Sequence, residues 1–169
     1  MKKVIEKTRQ YLDYIETHYN NVQKAWKIIQ KKGDGSGFDF LYDDFKFFTL
    51  DQSIKEHDLS KLSHFEFEPY RKKFYPTEHE KDNDKGLISQ LFEKAWEHHY
   101  KWNDHHWENW TKLDTPFDSL CVVHNYVDWM AMSMKFGDSP MAYYEKNKGE
   151  IIIPDWAESL MYDIDKMIK

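Results

Sequence analysis

Between Lys2 and Lys32 the apolar residues Val4, Ile5, Leu12, Ile15, Tyr19, Val22, Trp26 and Ile29 fall at steps of three and four. That spacing is the α-helical period and predicts a long amphipathic helix, stopped by Gly33-Asp-Gly-Ser-Gly37. The Asp34-Gly-Ser-Gly stretch lacks the later ligands and closing Glu of a calcium loop, so it reads as a turn. Phe38 to Phe48 is aromatic and acidic and fits one or two short helices. Thr49-Leu-Asp-Gln52 and Ser63-His-Phe-Glu66 both have capping-box spacing. They predict one helix from near Thr49 to His57-Asp58 and a new one just after Lys61. The polar run Pro76 to Gly86 predicts an exposed loop with His79 solvated.

From Leu87 to Trp102 a further helix places Leu91, Phe92, Ala95, Trp96, His99 and Trp102 on one broad face. His98 is turned about 100° from His99. If the helix continues through Asn103-Asp104, then His99, Asn103, His106 and Trp110 align inward. If it breaks there, both His105 and His106 reach inward. Phe117 to Phe136 predicts the most apolar helix, ended by Gly137-Asp-Ser-Pro140. Pro154 starts a last helix with Trp156, Leu160, Met161, Ile164 and Ile168 facing in. Only Ile151 to Ile153 has β character, and it is too short to build a sheet. The pattern predicts an all-α, single-domain helical bundle of five to seven helices over residues 1–169.

Composition narrows the partners. A chain of 169 residues is long enough for one sizeable core, and 17% aromatic content makes that core rich in rings. The net charge is −6 with Lys and Arg scattered, which argues against a broad nucleic-acid surface. The lone Cys121 cannot form an internal disulfide and suits a reducing cytoplasm. No apolar run is long enough to span a membrane, and the N-terminus lacks a signal-peptide core. A cytoplasmic protein with a small-molecule substrate is expected, with homo-oligomer formation left open.

Nine histidines draw attention to chemistry. Ile54, His57, Asp58 and Lys61 stand at i, i+3, i+4 and i+7, which is one face if the segment is helical. A neutral imidazole beside a carboxylate is a good ligand pair for a divalent metal. For an isolated pair the plain alternative is a surface His-Asp at a helix end. His18 lies between Ile15 and Val22 on the core stripe, where a hydrogen-bonded core imidazole is the plain alternative. Asp128 is the interior acid of the most apolar helix, with His124 four residues earlier on the same face. Its burial requires a metal, strong hydrogen bonds or an ion pair with Lys or Arg.

In chain order the candidates are His18, His57-Asp58, His98-His99, His105-His106 and Asp128. This order resembles the HD-domain superfamily of metal-dependent phosphohydrolases. There the first His, the HD pair and the last Asp hold one metal, and intervening histidines hold a second in two-metal members. His57-Asp-Leu-Ser-Lys61 looks like the HD-x-G-K motif of the cyclic-dinucleotide phosphodiesterase branch, with Ser60 at the Gly position. His105-His106 with Glu108 is similar to its HH-E segment, while the branch's Gly-Tyr-Pro is absent.

Over roughly residues 15–155 the chain is more closely similar to an uncharacterised bacterial and phage family. That family carries H-D-L-S-K, S-x-x-E-F and A-W-x-H-H…N-x-H-H-x-E-x-W, then a helix ending in Asp. Here these are His57 to Lys61, Ser63 to Phe67, Ala95 to Trp110 and the Asp128 helix. At the position of His124 that family usually has an acid. The resemblance implies an HD-like fold and one or two divalent ions (Mn, Fe, Co or Zn). The implied ligands are His18, His57, Asp58, His99, His105, His106 and Asp128. The resemblance to HD-domain hydrolases, not that to the uncharacterised family, implies hydrolysis of a nucleotide or other small phosphate ester, with Asp58, Lys61 and His106 in catalysis. The alternatives are a di-iron oxygenase using the same residue set, and a non-catalytic helical protein with a structural metal or polar network.

Overall fold

A computed structural model describes residues 1–169, with side chains for all but residue 83. Among the described residues the protein is all-helical, with no strand, as the apolar period predicts. The helices are α1 (Lys2–Lys32), α2 (Asp39–Tyr42), α3 (Asp44–Lys55), α4 (Phe67–Phe74) and α5 (Glu78–Asn83). They continue with α6 (Lys85–Trp102), α7 (Trp107–Lys112), α8 (Ser119–Phe136), α9 (Pro140–Asn147) and α10 (Asp155–Ile168). A 3₁₀ turn, Leu59–Leu62, lies between α3 and α4. There are ten α-helices among the described residues, where the pattern predicted five to seven. The additional ones are short, and a segment of one or two turns holds too few apolar positions for a period to show.

The chain divides into two compact units. The first comprises Met1–Thr17 and Asp58–Asn103, and the second His18–His57 and Asp104–Lys169. In the first unit α4 packs on α6, the 3₁₀ turn packs on both, and α5 packs on α6. Its core is built on Tyr11, Tyr70 and Ala95, ringed by Tyr14, Ile15, Phe67, Tyr75, Phe92 and Trp96. The rings meet in tilted and edge-on pairs, such as Tyr11 with Phe67 at 5.2 Å and Phe74 with Phe92 at 5.2 Å. That geometry suits the negative faces and positive edges of aromatic rings.

The expected loop over Pro76 to Gly86 instead contains α5. Thr77 accepts from the Glu80 amide while the Glu80 carboxylate accepts from the Thr77 amide, a complete capping box. Arg71 of α4 donates a two-pronged pair of 2.7 Å hydrogen bonds to the same carboxylate. A buried carboxylate with this many donors holds a short helix that its polar sequence alone would not support. His79 is exposed on α5.

In the second unit α8 is the spine. Val122, Val123, Tyr126, Val127 and Ala131 are buried, and α8 packs on α3, α9 and α10. Val22, Ala25, Trp26 and Ile29 of α1 belong to the same core. On α1 the buried residues are Tyr11, His18, Val22, Ala25, Trp26 and Ile29, while Val4, Ile5, Leu12 and Tyr19 are exposed. Val22, Trp26 and Ile29 keep the predicted stripe and His18 stands on it as expected, whereas toward the N-terminus Tyr11 is buried and Val4, Ile5 and Leu12 are not. Trp156, expected to face inward, is 46% exposed and stacks on Phe117. Helix α9, absent from the predicted pattern, begins with Ser139 accepting from the Ala142 amide and Pro140 in the first turn.

Two predicted helix starts are corrected. α3 begins at Asp44, capped by Asp43, so Thr49 lies inside it. α4 begins at Phe67 and the Glu66 side chain does not cap it, because that carboxylate is held by two histidines. α6 does break at Asn103, whose side-chain amide donates to the His99 carbonyl at 2.7 Å.

The donors on Glu80, Arg71 first, hold its carboxyl down to about 2 from an ordinary 4.5. A depressed carboxylate contributes stability that is present above about pH 4.5 and lost as pH falls toward 2. Glu80→Ala is therefore expected to lower unfolding free energy at neutral pH by about 2–3 kcal/mol. The deficit relative to the parent should shrink steadily below about pH 4.5. Denaturant unfolding across that range measures both effects.

Candidate metal centre

Two helices and two segments flanking helices bring a set of nitrogen and oxygen donors together in the second unit. His18 comes from α1, His57 from the turn after α3, and His124 and Asp128 from successive turns of α8. His105 lies just before α7. All five are buried. His18 Nε2, His57 Nε2 and Asp128 Oδ1 form a triangle with edges of 3.0, 3.1 and 3.6 Å. The point equidistant from these three atoms lies roughly 1.9 Å from each, the circumradius of that triangle. Zinc bonds to His nitrogen and carboxylate oxygen run about 2.0–2.2 Å, so a cation slightly out of the plane reaches all three. One proton can serve only one edge of such a triangle. The three donors fit a divalent ion.

The other nitrogen of His57 is also engaged. Nδ1 lies 3.0 Å from His124 Nε2, and His124 Nδ1 lies 2.9 Å from Ser53 Oγ. The His105 ring stacks on His124 with centroids 4.1 Å apart and lies 4.7 Å from the His57 ring. Ring nitrogens of His57, His105 and His124 fall within 4.8 Å of one another, a second group that could hold an ion. His106 is buried, its ring 4.2 Å from that of His105.

The first unit holds a different network, built on charge. Asp58 has φ 58° and ψ 23°, the left-handed region that asparagine and aspartate tolerate best among side-chain-bearing residues. Helix α3 has already ended at Lys55, so His57, Asp58 and Lys61 do not share a helix face as the spacing predicted. The Asp58 carboxylate pairs with Lys61 Nζ and lies 3.2 Å from His99 Nε2. His99 Nδ1 lies 2.8 Å from one Glu66 oxygen, and His98 Nδ1 lies 2.7 Å from the other. Ser60 donates to Glu66 as well, and Asn103 donates to Ser60.

The electrostatics follow from these contacts. Burial opposes the charged form of His99, but Asp58 and Glu66 outweigh it and the imidazole is raised above its ordinary pKa. Burial also works against an ionised Glu66, yet hydrogen bonds from His99, His98 and Ser60 carry it below the usual carboxylate range. Tyr11 and Tyr70 stand nearby in the aromatic core, and burial raises both phenols, keeping them protonated.

Of the residues singled out in the sequence, His18, His57, His105, His106 and Asp128 lie in the second unit, and the first two meet Asp128 directly. Asp58, Lys61 and His99 lie in the first unit and are joined through Asp58. His98, turned about 100° from His99, is only partly exposed and reaches Glu66. Two residues gained importance from the structure. His124 was visible as the residue four before Asp128, and Glu66 was hidden by its match to a capping box.

The model of a family of unknown function, DUF5662, matches residues 7–168. The chain belongs to that family. No curated protein and no solved structure matches it. The DUF5662 match covers both units, and with them every residue of the two networks.

If the triangle binds a cation, adding zinc or cobalt to chelator-stripped DUF5662 protein should raise its melting temperature. At a free metal concentration about 100 times the dissociation constant, the added stability is about 2.7 kcal/mol. Asp128→Asn should remove most of that gain, and His79→Ala, on exposed α5, should keep it. Thermal unfolding with and without metal provides the comparison.

Proposed function

We propose that this DUF5662 protein is a metal-dependent phosphohydrolase of HD type, acting in the cytoplasm on a nucleotide or another small phosphate ester. The observation that carries the reading is the His18–His57–Asp128 triangle. Structural zinc sites close around four protein ligands, whereas catalytic ones use three and leave room for water and substrate. A divalent cation held by these three residues would supply charge neutralisation at a phosphoryl oxygen and would lower the pKa of water. The residue order His18, His57-Asp58, His99, His105-His106, Asp128, similar to that of HD hydrolases, supports the same class.

The chain's own side chains divide the remaining work. His18 and His57 enter as neutral imidazoles and Asp128 as the charged ligand. Lys61 supplies a fixed positive charge for phosphate oxygens, held by Asp58. Asp58 also fixes His99. His106 is assigned proton delivery to the leaving group, a role suited to an imidazole near neutral pH. No helix among the described residues is long and apolar enough to cross a membrane.

The test begins with metal analysis of protein purified without chelator or tag-derived nickel. Hydrolysis is then assayed on a panel of nucleotides and generic phosphodiesters, with Mn, Co, Fe, Zn and Mg each supplied separately. The expected result is phosphate or nucleoside release that Asp128→Asn and Asp58→Ala abolish while helix content is largely kept. Lys61→Ala should weaken turnover without removing metal. Absence of turnover with every metal, in protein shown to be loaded, overturns the hydrolase. Retained iron with dioxygen uptake would instead assign the same residues to oxygenase chemistry.

A further inference from the structure

His57 presents both ring nitrogens to other groups, and the two sides are unlike. Nε2 faces His18 and Asp128, while Nδ1 faces His124 Nε2 at 3.0 Å. His124 in turn presents Nδ1 to Ser53 Oγ at 2.9 Å. A neutral imidazole carries one N–H and one lone pair. If Nε2 of His57 gives its lone pair to the cation, the proton must sit on Nδ1. His124 Nε2 must then be an acceptor, its own proton must sit on Nδ1, and Ser53 Oγ must accept that one. The three residues thus have one self-consistent proton assignment.

We infer that His124, backed by Ser53, is the positioning residue that fixes the tautomer and ring orientation of His57 for metal binding. The inference rests on the metal-centre reading and names a part of it that the HD order does not contain. A competing role for His124 is as a ligand to a second ion with His57 and His105, since their nitrogens fall within 4.8 Å. The geometry favours the hydrogen bond for two reasons. A second ion on Nδ1 would require His57 to lose its last N–H proton and bridge as an anion, whereas the hydrogen bond needs only neutral rings. His105 also lies face to face over His124, at 29° between planes. In-plane lone pairs of stacked rings run alongside one another rather than toward a common point.

Ligating histidines commonly donate their second N–H to a carboxylate or a backbone carbonyl. Here the acceptor is another imidazole, neutral and buried, with a hydroxyl behind it. A neutral acceptor draws less on the His57 proton than a carboxylate would. It fixes the ring's direction while adding no charge beside Asp128.

Cobalt titration of the full chain tests this, followed by absorbance, with zinc-loaded protein examined by long-range proton–nitrogen NMR of the histidine rings. His124→Leu is expected to weaken cobalt affinity by about 10–100-fold, the range for loss of such a supporting partner. His124→Gln, whose Oε1 can accept from His57 Nδ1, should recover most of it, and Ser53→Ala should give a smaller loss. In the zinc-loaded parent, His57 should show the Nδ1–H tautomer, and its protection from solvent exchange should fall in His124→Leu. Helix content by circular dichroism identifies any variant that fails to fold, and the Gln variant and the parent's NMR tautomer then decide. Parent protein that binds no cobalt overturns the metal-centre reading and this inference together. Parent binding matched by unchanged affinity in both Leu and Gln variants overturns this inference alone. A parent that holds two ions, one of which is lost in His124→Leu, also overturns it and makes His124 a ligand.

Discussion

A carboxylate placed inside an apolar helix must be answered by positive charge or hydrogen-bond donors, and Asp128 sets that requirement for the second unit. Helix α8 is almost wholly buried around it, with Val122, Val123, Val127 and Ala131 in the core. Leaving an ionised carboxylate unpaired in such surroundings costs several kcal/mol, on the order of a whole domain's stability. The imidazoles of His18 and His57 face Asp128 Oδ1. Two neutral imidazoles offer hydrogen bonds but no net positive charge. A divalent cation at the triangle would both balance the carboxylate's charge and occupy the imidazole lone pairs. His18, His57 and Asp128 are a donor set that could hold a metal ion.

The first unit meets the same constraint with protons. Glu66 is fully buried, and each of its oxygens takes a histidine while Ser60 donates to one of them. His99 lies between two carboxylates, Asp58 on Nε2 and Glu66 on Nδ1, and a ring with an acceptor at each nitrogen is best served as the imidazolium. Asp58 first, and then Glu66, raise the pKa of His99, and His99 in turn leads the donors that lower that of Glu66. Lys61 adds the second positive charge on Asp58. Here carboxylates face cations the chain itself supplies, whereas the donor triangle of the second unit could hold an added one.

How much of this was legible in the sequence depended on how local its cause was. The long helices α1, α6, α8 and α10 announced themselves, because many turns of apolar period accumulate into a clear signal. The capping boxes show the limit. Thr49-Leu-Asp-Gln52 and Ser63-His-Phe-Glu66 have the right spelling, yet neither starts a helix. Thr77-Glu-His-Glu80 does, from inside a polar run that looked like a loop. The spelling is a property of four residues, but the fate of each glutamate is decided by distant ones. Glu66 is taken by histidines more than thirty positions onward, and Glu80 by Arg71 of the preceding helix. Similarly, the helical phase of His57, Asp58 and Lys61 was sound arithmetic applied to a segment that is not helical. What the sequence did show was the set of chemically costly residues. His18 on a core stripe and Asp128 in an apolar helix could be named because their burial needed a partner, whatever the backbone did between them.

The polar interior of the first unit is not fully reconciled by its ion pairs, and the remainder has a direction. Tyr11 and Tyr70 are buried, and their hydroxyls have no hydrogen-bond partner among the described residues. Each such group costs about 1–3 kcal/mol relative to one that is paired. Phenylalanine would fill either space without that cost, and Phe67 and Phe92 already pack in the same core. The raised pKa values keep both phenols neutral, so the penalty is that of an unpaired dipole and not of a buried charge. Such a cost is borne by ring packing: Tyr11 rests against Tyr14, Phe67 and Tyr75, and Tyr70 against Phe74, Phe92 and His99. Proteins depart from full polar satisfaction chiefly where chemistry requires it. The two phenols share the electrostatic field of Asp58 and Glu66, with Lys61 also acting on Tyr11. The stability given up in this core is therefore concentrated beside the residues to which the hydrolase reading assigns phosphate binding.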